Sequence, residues 1–246
     1  MVLKNLMDIL DKISPFELQD SWDNSGLCIG NEDQKIDKIY LSLDADLELI
    51  KKIEPNSVLI VHHPPIFKAL KTITNLSYPS NFLREAIKKD IAIVSMHTNY
   101  DISHLNQYVL EEVLGYDILK RDGHILYFDV DRSFDAFASD LAYKLNIEKI
   151  RVVKKNDWIN IAAITTGSGS ELINGIKADC FITGDIKYHV AKEAFENSLS
   201  LIDIQHYESE IFFAQSIQRE LENYGLFGII ANSKNPFSYI SKDIHE

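Results

Sequence analysis

Three apolar runs of the sequence each end in residues that can bind a metal ion or transfer a proton. Each run has the length and composition of a buried β-strand. Because ligands of open α/β sheets bind beyond the carboxyl ends of the strands, we expect the residues after the three runs to share one edge of a sheet. These residues are His62 and His63 after 58–61, His97 and Asp101 after 91–96, and His206 and Glu210 after 199–204.

The residue types at these strand ends are those of a metal site. Neutral imidazole is the commonest protein metal ligand, and a carboxylate can bridge two cations. His62 and His63 are adjacent in an extended segment, so their side chains diverge and suit two different ions. His206 and Glu210 lie about one helical turn apart and can converge on one ion or a close pair. Together, four histidines and two acids exceed the needs of one tetrahedral zinc and favour a two-metal site.

Other motifs are less specific. Gly167-x-Gly169 has Leu172 where the dinucleotide fingerprint needs a third glycine, so it predicts a turn, with anion binding at the following helix as the alternative. Asp185 and His189 follow another apolar strand, where they would contact the substrate or the metal ligands, unless Asp185 only caps the next helix. The sequence contains no serine or cysteine nucleophile elbow. Three histidines without partners at a useful spacing are predicted to be ordinary exposed residues: His104, His124 and His245.

The elements that must position these residues alternate between strands and helices. This alternation predicts an α/β fold with mainly parallel sheets flanked by helices. We divide it near Arg121-Asp122-Gly123 into a first lobe, residues 1–122, and a second lobe, residues 123–246. The predicted strands are 36–43, 58–61, 91–96, 125–130, 150–153, 159–164, 180–183, 199–204 and 227–230, and the predicted helices are 3–13, 47–53, 82–89, 105–114, 134–145, 171–176, 189–195 and 208–224.

The composition excludes several classes of protein. The chain has 246 residues, 46% hydrophobic and 25% charged, as in a folded protein of one large or two smaller domains. Its formal net charge of −12 argues against nucleic-acid binding by default and suits a positively charged partner such as a metal ion. Cys28 and Cys180 form no disulfide framework, and no signal peptide or membrane helix is apparent. We therefore expect a soluble cytoplasmic protein that does not interact with membranes.

Five short sequence blocks occur in order along nearly the whole chain. They are Ser21-Trp22-Asp23-Asn24-Ser25-Gly26-Leu27, Val61-His62-His63-Pro64, His97-Thr98-Asn99-Tyr100-Asp101, Thr183-Gly184-Asp185 with Tyr188-His189, and His206-Tyr207-x-Ser209-Glu210. In these blocks the chain resembles the compact bacterial form of the GTP cyclohydrolase I type 2 homologues, also called the NGG-interacting-factor-like proteins. The resemblance implies a two-lobed α/β protomer with a dinuclear metal site in the cleft between the lobes, assembled into a ring-like homohexamer.

The resemblance also implies roles for individual residues. His97 would stand beside the metals as a proton shuttle or substrate contact, which is the catalytic role. Asn24, Asp185 and His189 would contact the substrate or the metal ligands. Glu210 would be the bridge in a ligand set that comprises His62, His63, Asp101, His206 and Glu210.

The reaction that these residues predict is hydrolysis. Two divalent ions would activate a water and polarise the electrophile of a small-molecule or phosphoester substrate. The chain has no cysteine pair like that of the zinc site in GTP cyclohydrolase I, which argues against that reaction on GTP, and it has Gln205 where the family usually has a glycine. Imidazole with carboxylate suits zinc, iron, manganese or nickel. The alternative is a non-enzymatic metal carrier or assembly factor, or a ring-shaped interaction platform.

Overall fold

The computed structural model describes residues 1–231 and 233–240, so His245 lies outside the described residues. The described strands form two sheets, and helices pack against them. The strands are β1 (Gly26–Ile29), β2 (Ile39–Ser42), β3 (Val58–Val61), β4 (Ala92–Ser95), β5 (Lys120–Asp122), β6 (Ile125–Ser133), β7 (Arg151–Val153), β8 (Trp158–Ile164), β9 (Cys180–Thr183), β10 (Ser200–Asp203) and β11 (Gly228–Ile230).

The helices lie between and after these strands. The α-helices are α1 (Leu3–Ile13), α2 (Leu47–Lys52), α3 (Ser80–Lys88), α4 (Thr98–Tyr100), α5 (Asn106–Tyr108), α6 (Phe134–Lys144), α7 (Tyr188–Glu196), α8 (His206–Glu210) and α9 (Phe213–Glu222). Two π-helical turns, Asp101–Leu105 and Val109–Val113, flank α5. Short 3₁₀-helices cover Phe16–Leu18 and Ser170–Gly175.

The first sheet has the strand order β1-β4-β3-β2-β11. Strands β4, β3, β2 and β11 are parallel, and β1 is antiparallel at one edge. Every residue of β2, β3 and β4 is buried, as expected for short apolar strands covered on both faces. Because the parallel strands run in the same direction, their carboxyl ends lie along one edge of the sheet.

The second sheet has the order β5-β6-β8-β9-β10-β7. Its strands β8, β9 and β10 are parallel, whereas β5, β6 and β7 join through antiparallel pairings. Strands β5 and β6 form a hairpin around Gly123, whose φ of 58° suits a tight turn. The second sheet is therefore mixed, but β9 and β10 again deliver their carboxyl ends to one edge.

The predicted α/β fold with two sheets and flanking helices is confirmed. Three local predictions are wrong. The predicted helix 208–224 is divided into α8 and α9, so that Glu210 faces the site while α9 packs into the core. No strand is predicted before residue 36, but β1 at Gly26–Ile29 pairs with β4. His104 is half-buried because its ring stacks on Tyr100.

One continuous hydrophobic core joins the two sheets. It contains Leu41 and Val94 from the first sheet, Phe128 and Ile182 from the second, and Phe213 from α9, all fully buried. Because close-packed side chains resist displacement, this shared core fixes the separation of the two sheet edges. None of the described helices combines the length and the apolar character that crossing a membrane requires.

Candidate metal centre

Residues from both sheets meet at the carboxyl ends of their parallel strands. In the first sheet, β3 is followed by His62 and His63, and β4 is followed by His97. In the second sheet, β10 leads into α8, which begins at His206. Asp101 begins a π-helical turn, a feature frequent at functional sites. The ligand atoms of these side chains fall into overlapping groups whose members lie within 4.8 Å of one another.

Two of these groups share the carboxylate of Glu210. In the inner group, His62 Nε2 lies 3.3 Å from Asp101 Oδ1 and 3.7 Å from Glu210 Oε1. In the outer group, Glu210 Oε2 lies 2.9 Å from His63 Nε2 and 3.0 Å from His206 Nε2. Glu210 therefore presents one carboxylate oxygen to each group, and the structure brings together all five residues predicted to be metal ligands.

The surroundings of His62 fit a metal ion. His62 is fully buried, and its Nδ1 lies 2.8 Å from the main-chain oxygen of Met96, which can only accept a hydrogen bond, so Nδ1 carries a proton. In the neutral ring Nε2 then has a lone pair that faces the acceptor Asp101 Oδ1. Neither of these buried atoms has a hydrogen-bond partner among the described residues. A cation stabilises buried acceptors that face each other, so this pair fits a divalent metal ion.

The other three histidines of the site also have their Nδ1 atoms held in place. Each Nδ1 lies 2.7 Å from a carboxylate oxygen. Contacts of this kind orient an imidazole and direct its Nε2 toward a metal ion or a substrate. The pairs are His63 with Asp44, His97 with Asp23, and His206 with Asp185.

Sequence reasoning alone misses Asp23 and Asp44. Asp44 carries a usable signal, since it follows β2 at the same sheet edge as the histidines that follow β3 and β4. Asp23 lies in the first sequence block, but no local pattern connects it with His97, which is 74 residues further along the chain. The buried Asp23 carboxylate also accepts hydrogen bonds from Ser25 and Thr98, so it fixes the His97 segment as well as its ring.

The buried carboxylate of Glu210 dominates the electrostatics of the site. Burial by itself would raise the pKa of Glu210, but the facing imidazoles of His63, His206 and His62 hold this pKa well below its ordinary range. Burial likewise opposes the charged form of His206, but the carboxylates of Glu210 and Asp185 raise the pKa of His206 to about 9. The carboxylates thus favour positive charge between them, which protons supply and which a metal ion would replace.

Two glycines let loops of the second sheet approach the ligands closely. A Cβ on Gly167 would lie 2.0 Å from Glu210 Oε1, and its φ of +61° also favours glycine. A Cβ on Gly184 would lie 2.8 Å from the main-chain nitrogen of His206. The structure therefore favours a turn that packs against Glu210, rather than an anion-binding loop, at Gly167-x-Gly169.

An open cavity of about 480 Å³ lies over the two groups, a volume typical of small-molecule sites. Residues that follow strands of both sheets line it. His124, predicted to be an ordinary exposed residue, also lines it, and its Nε2 lies 3.5 Å from Asp20 Oδ2. Asn24 and His189 are not among the described residues that line the cavity. Asn24 Nδ2 instead donates a 2.6 Å hydrogen bond to the main-chain oxygen of Ile66, and His189 is exposed on α7.

Comparison with known proteins relates the whole chain to one family. The sequence pattern of the Duf34/NIF3 (NGG1p interacting factor 3) family matches residues 1–236. A Campylobacter jejuni protein named GTP cyclohydrolase 1 type 2 homolog is 48% identical, over 97% of this chain and 100% of that protein. A Helicobacter pylori protein named GTP cyclohydrolase 1 type 2 is 38% identical, over 97% of this chain and 99% of that protein. The crystal structure of a hypothetical Staphylococcus aureus protein matches with a TM-score of 0.87 and 28% identity, over 98% of this chain and 99% of that chain.

Proposed function

Because this chain belongs to the Duf34/NIF3 family, we propose that it is a hydrolase that depends on two divalent metal ions. The observation that carries the proposal is the pair of ligand groups that share Glu210. His62 and Asp101 would hold one ion, His63 and His206 would hold the other, and Glu210 would bridge them. Shared carboxylates of this kind suit two-metal hydrolytic sites, in which the ions lie ~3.5–4 Å apart.

His97 would transfer the proton of the attacking water. When bound, the two ions supply Lewis acidity toward the substrate and toward an attacking water. The His97 ring centroid lies 5.1 Å from that of His62 and 5.6 Å from that of His63, so it stands beside both groups. Asp23 holds the proton of His97 on Nδ1, which leaves Nε2 to accept a proton from the water and return it to the leaving group. Burial would raise the pKa of Asp23, but its contacts with His97 and Thr98 lower it, so the carboxylate stays ionised.

The types of the candidate ligands indicate which metals the site suits and which reaction it would catalyse. The relatives' names refer to GTP cyclohydrolase, but neither Cys28 nor Cys180 is among the described residues that line the cavity. The candidate ligands are histidines and carboxylates, which suit zinc, iron, manganese or nickel. The proposed reaction is therefore metal-assisted hydrolysis of a small molecule or phosphoester, rather than the reaction of a cysteine-ligated zinc enzyme.

The test compares two double substitutions with the same spacing. His206→Ala with Glu210→Gln removes ligands from both groups, whereas His189→Ala with Glu193→Gln changes an exposed pair on α7. Elemental analysis and a screen against phosphoesters, nucleotides and peptides are made on both variants. We expect the first variant to lose metal and turnover while keeping its circular dichroism spectrum, and the second to keep all three. An active, metal-free first variant would contradict the proposal.

A metal carrier is the second candidate, and the exposure of the outer group favours it. The side chains of His206 and His63 are 33% and 27% exposed, so an acceptor can reach an ion held there. Transfer of metal to a metal-free acceptor protein, with no turnover of any substrate in the screen, would support the carrier. Turnover that depends on both groups would support the hydrolase.

We also propose a ring-like homohexamer in the cytoplasm. The resemblance carried by the five sequence blocks implies this assembly, and the family match covers residues 1–236. Size-exclusion chromatography with light scattering should give about six times the mass of one chain, as a closed ring of six subunits requires. A mass equal to one chain at all concentrations would contradict it, and cell fractionation tests the location.

A further inference from the structure

Gln205, the residue before the candidate ligand His206, has a main-chain conformation that residues other than glycine rarely adopt. Its φ is 62° and its ψ is 158°. Glycine reaches this region freely, whereas a residue with a Cβ is strained there and stays only where its surroundings hold it. Gln205 is therefore a strained position at the start of α8, the helix that carries both His206 and Glu210.

Two contacts fix the main chain at this position. The Gln205 amide donates a 3.0 Å hydrogen bond to Oδ1 of Asp203, whose side chain is buried. A Cβ added to Gly184, which follows β9, would lie 2.8 Å from the carbonyl carbon of Gln205 and 2.8 Å from the nitrogen of His206. The end of β9 thus packs against the peptide bond between Gln205 and His206. A shift of this peptide would also shift the His206 imidazole.

The side chain of Gln205 ties the same peptide to two further segments. Its Nε2 donates a 3.3 Å hydrogen bond to the main-chain oxygen of Lys149. Its Oε1 accepts a 2.8 Å hydrogen bond from the hydroxyl of Tyr239. Tyr239 belongs to the C-terminal segment, which we define as residues 233–239.

The C-terminal segment also contacts α8 directly. The hydroxyl of Tyr207 donates a 2.7 Å hydrogen bond to the main-chain oxygen of Ser233. Asn235 Nδ2 donates a 2.7 Å hydrogen bond to Oε1 of Glu208. Together with the contact at Tyr239, these bonds hold the residues on both sides of His206.

We propose that Gln205 is a positioning residue, whose strained main chain, held in part by the C-terminal segment, sets the place of the His206 imidazole in the outer group. The inference rests on the proposed function, because the outer group is where the second metal ion would bind. His206 Nε2 lies 3.0 Å from Glu210 Oε2, and both atoms would contact that ion. Relaxation of Gln205 to a negative φ would turn the start of α8 and move these two atoms apart.

Two substitutions of Gln205 separate strain from loss of the side chain. Gln205→Ala and Gln205→Gly both remove the bonds to Lys149 and Tyr239, but only alanine keeps a strained Cβ. Zinc affinity is measured by competition with a chelator, and the outer ion is identified as the one that His206→Ala removes. We expect the outer ion to bind at least about tenfold more weakly in Gln205→Ala than in Gln205→Gly. Equal affinities in the two variants overturn the inference.

The same pair of substitutions at Asn56 is the control. Asn56 also has a positive φ, of 55°, but it is exposed and precedes β3, at the end of that strand away from His62. Thermal unfolding should show Asn56→Ala to be less stable than Asn56→Gly, with equal affinities for the outer ion. A tenfold difference in affinity at Asn56 as well would mean that overall stability sets the affinity, which overturns the inference.

Removal of one hydroxyl tests the role of the C-terminal segment. Tyr239→Phe removes the hydrogen bond to Gln205, whereas Tyr143→Phe changes an exposed residue of α6. We expect Tyr239→Phe to weaken the outer ion about fivefold, which corresponds to the net contribution of one hydrogen bond, and Tyr143→Phe to have no effect. In the Gln205→Gly protein, Tyr239→Phe should have no effect either. An equal loss with and without Gln205→Gly, or no loss at all, contradicts the proposed role of the segment.

A measurement on the metal-free protein separates the two proposals. In ¹H–¹⁵N NMR spectra of the imidazoles, Gln205→Ala should shift the signals of His206 more than those of His62, which the main chain at Met96 holds. Such a shift in a protein that binds no metal after reconstitution would mean that the hydrolase proposal alone fails. Two bound ions with unchanged His206 signals in Gln205→Ala would mean that the present inference alone fails.

Discussion

The inner and outer groups share Glu210 but differ in what surrounds their histidines. His62 of the inner group is fully buried, and the main-chain oxygen of Met96 fixes its Nδ1. His206 of the outer group is 33% exposed, and the exposed side chain of Asp185 holds its Nδ1. A ring fixed by buried main chain moves only with the core, whereas a ring held by an exposed side chain can turn away. We therefore expect the inner group to hold its ion more tightly and the outer ion to exchange and meet the substrate.

The largest effect is expected from a substitution that displaces the shared carboxylate. Gly167→Ala would place a methyl carbon 2.0 Å from Glu210 Oε1 at a position with positive φ, so Glu210 must move. We expect metal affinity in both groups to fall at least about a hundredfold and the free energy of unfolding to fall by about 1–3 kcal/mol. Isothermal titration calorimetry and denaturant unfolding measure the two effects.

Gly175→Ala is the control, because the Cβ that it adds meets no atom within 4 Å apart from its neighbours in the chain. It should leave both metal affinities unchanged. If Gly167→Ala kept both ions at full affinity, the carboxylate of Glu210 would not be the shared ligand, and the division into two groups would lose its basis.

Single alanine substitutions should affect the two groups unequally. His62→Ala leaves the buried main-chain oxygen of Met96 without its hydrogen-bond donor, so we expect loss of the inner ion and destabilisation by about 1–3 kcal/mol. His206→Ala opens a partly exposed position that water can fill, and His63 still contacts Glu210 Oε2, so we expect loss of the outer ion with less destabilisation than His62→Ala causes. Elemental analysis and thermal unfolding check both variants. Equal destabilisation would contradict the difference in burial.

The two groups also show which parts of the site can be predicted from the sequence. Their candidate ligands follow apolar strands directly or within a few residues, so strand patterns and local spacing are sufficient to identify His62, His63 and His206. Asp23 and Asp44 contact their histidines across 74 and 19 residues of chain. Local periodicity does not show which acidic residue contacts a given imidazole, because the packing of the core determines which distant segments meet.

The fold likewise has parts that local sequence patterns predict and parts that only tertiary contacts determine. Strands β2, β3 and β4 are continuous apolar runs that the sequence identifies, and the two-sheet α/β fold follows from their alternation with helices. The mixed strand directions of the second sheet cannot be predicted in this way, because strand pairing depends on tertiary contacts. The division between α8 and α9 is likewise hidden, because residues 208–224 are compatible with one helix until Glu210 has to face the site and α9 the core.

The outer group should also bind its metal ion in a pH-dependent way. In the metal-free protein, neighbouring carboxylates outweigh burial and raise the pKa of His206 to about 9. His206 is then protonated near neutral pH, and a metal ion must displace this proton. We expect affinity in the outer group to rise about tenfold per pH unit from about pH 7 and to level off above about pH 9.

Zinc titrations against a competing chelator across this range check the slope. His206→Ala is the control, since it should remove the outer-group binding curve with its pH slope and leave the inner-group curve in place. Outer-group affinity that stays constant or falls as the pH rises would mean that His206 is not a ligand.

The smallest effects are expected from the carboxylates that orient the outer imidazoles. Asp44→Asn and Asp185→Asn keep the side-chain size but remove the charge that faces Nδ1 of His63 and His206. We expect each substitution to weaken the outer ion about tenfold. The inner ion, whose histidine is held by the main chain at Met96, should keep its affinity and serves as the internal control in a chelator competition. If the affinity for the inner ion falls equally, the carboxylate of Glu210 couples the two groups. Burial of the inner group then does not make its affinity independent of the outer group.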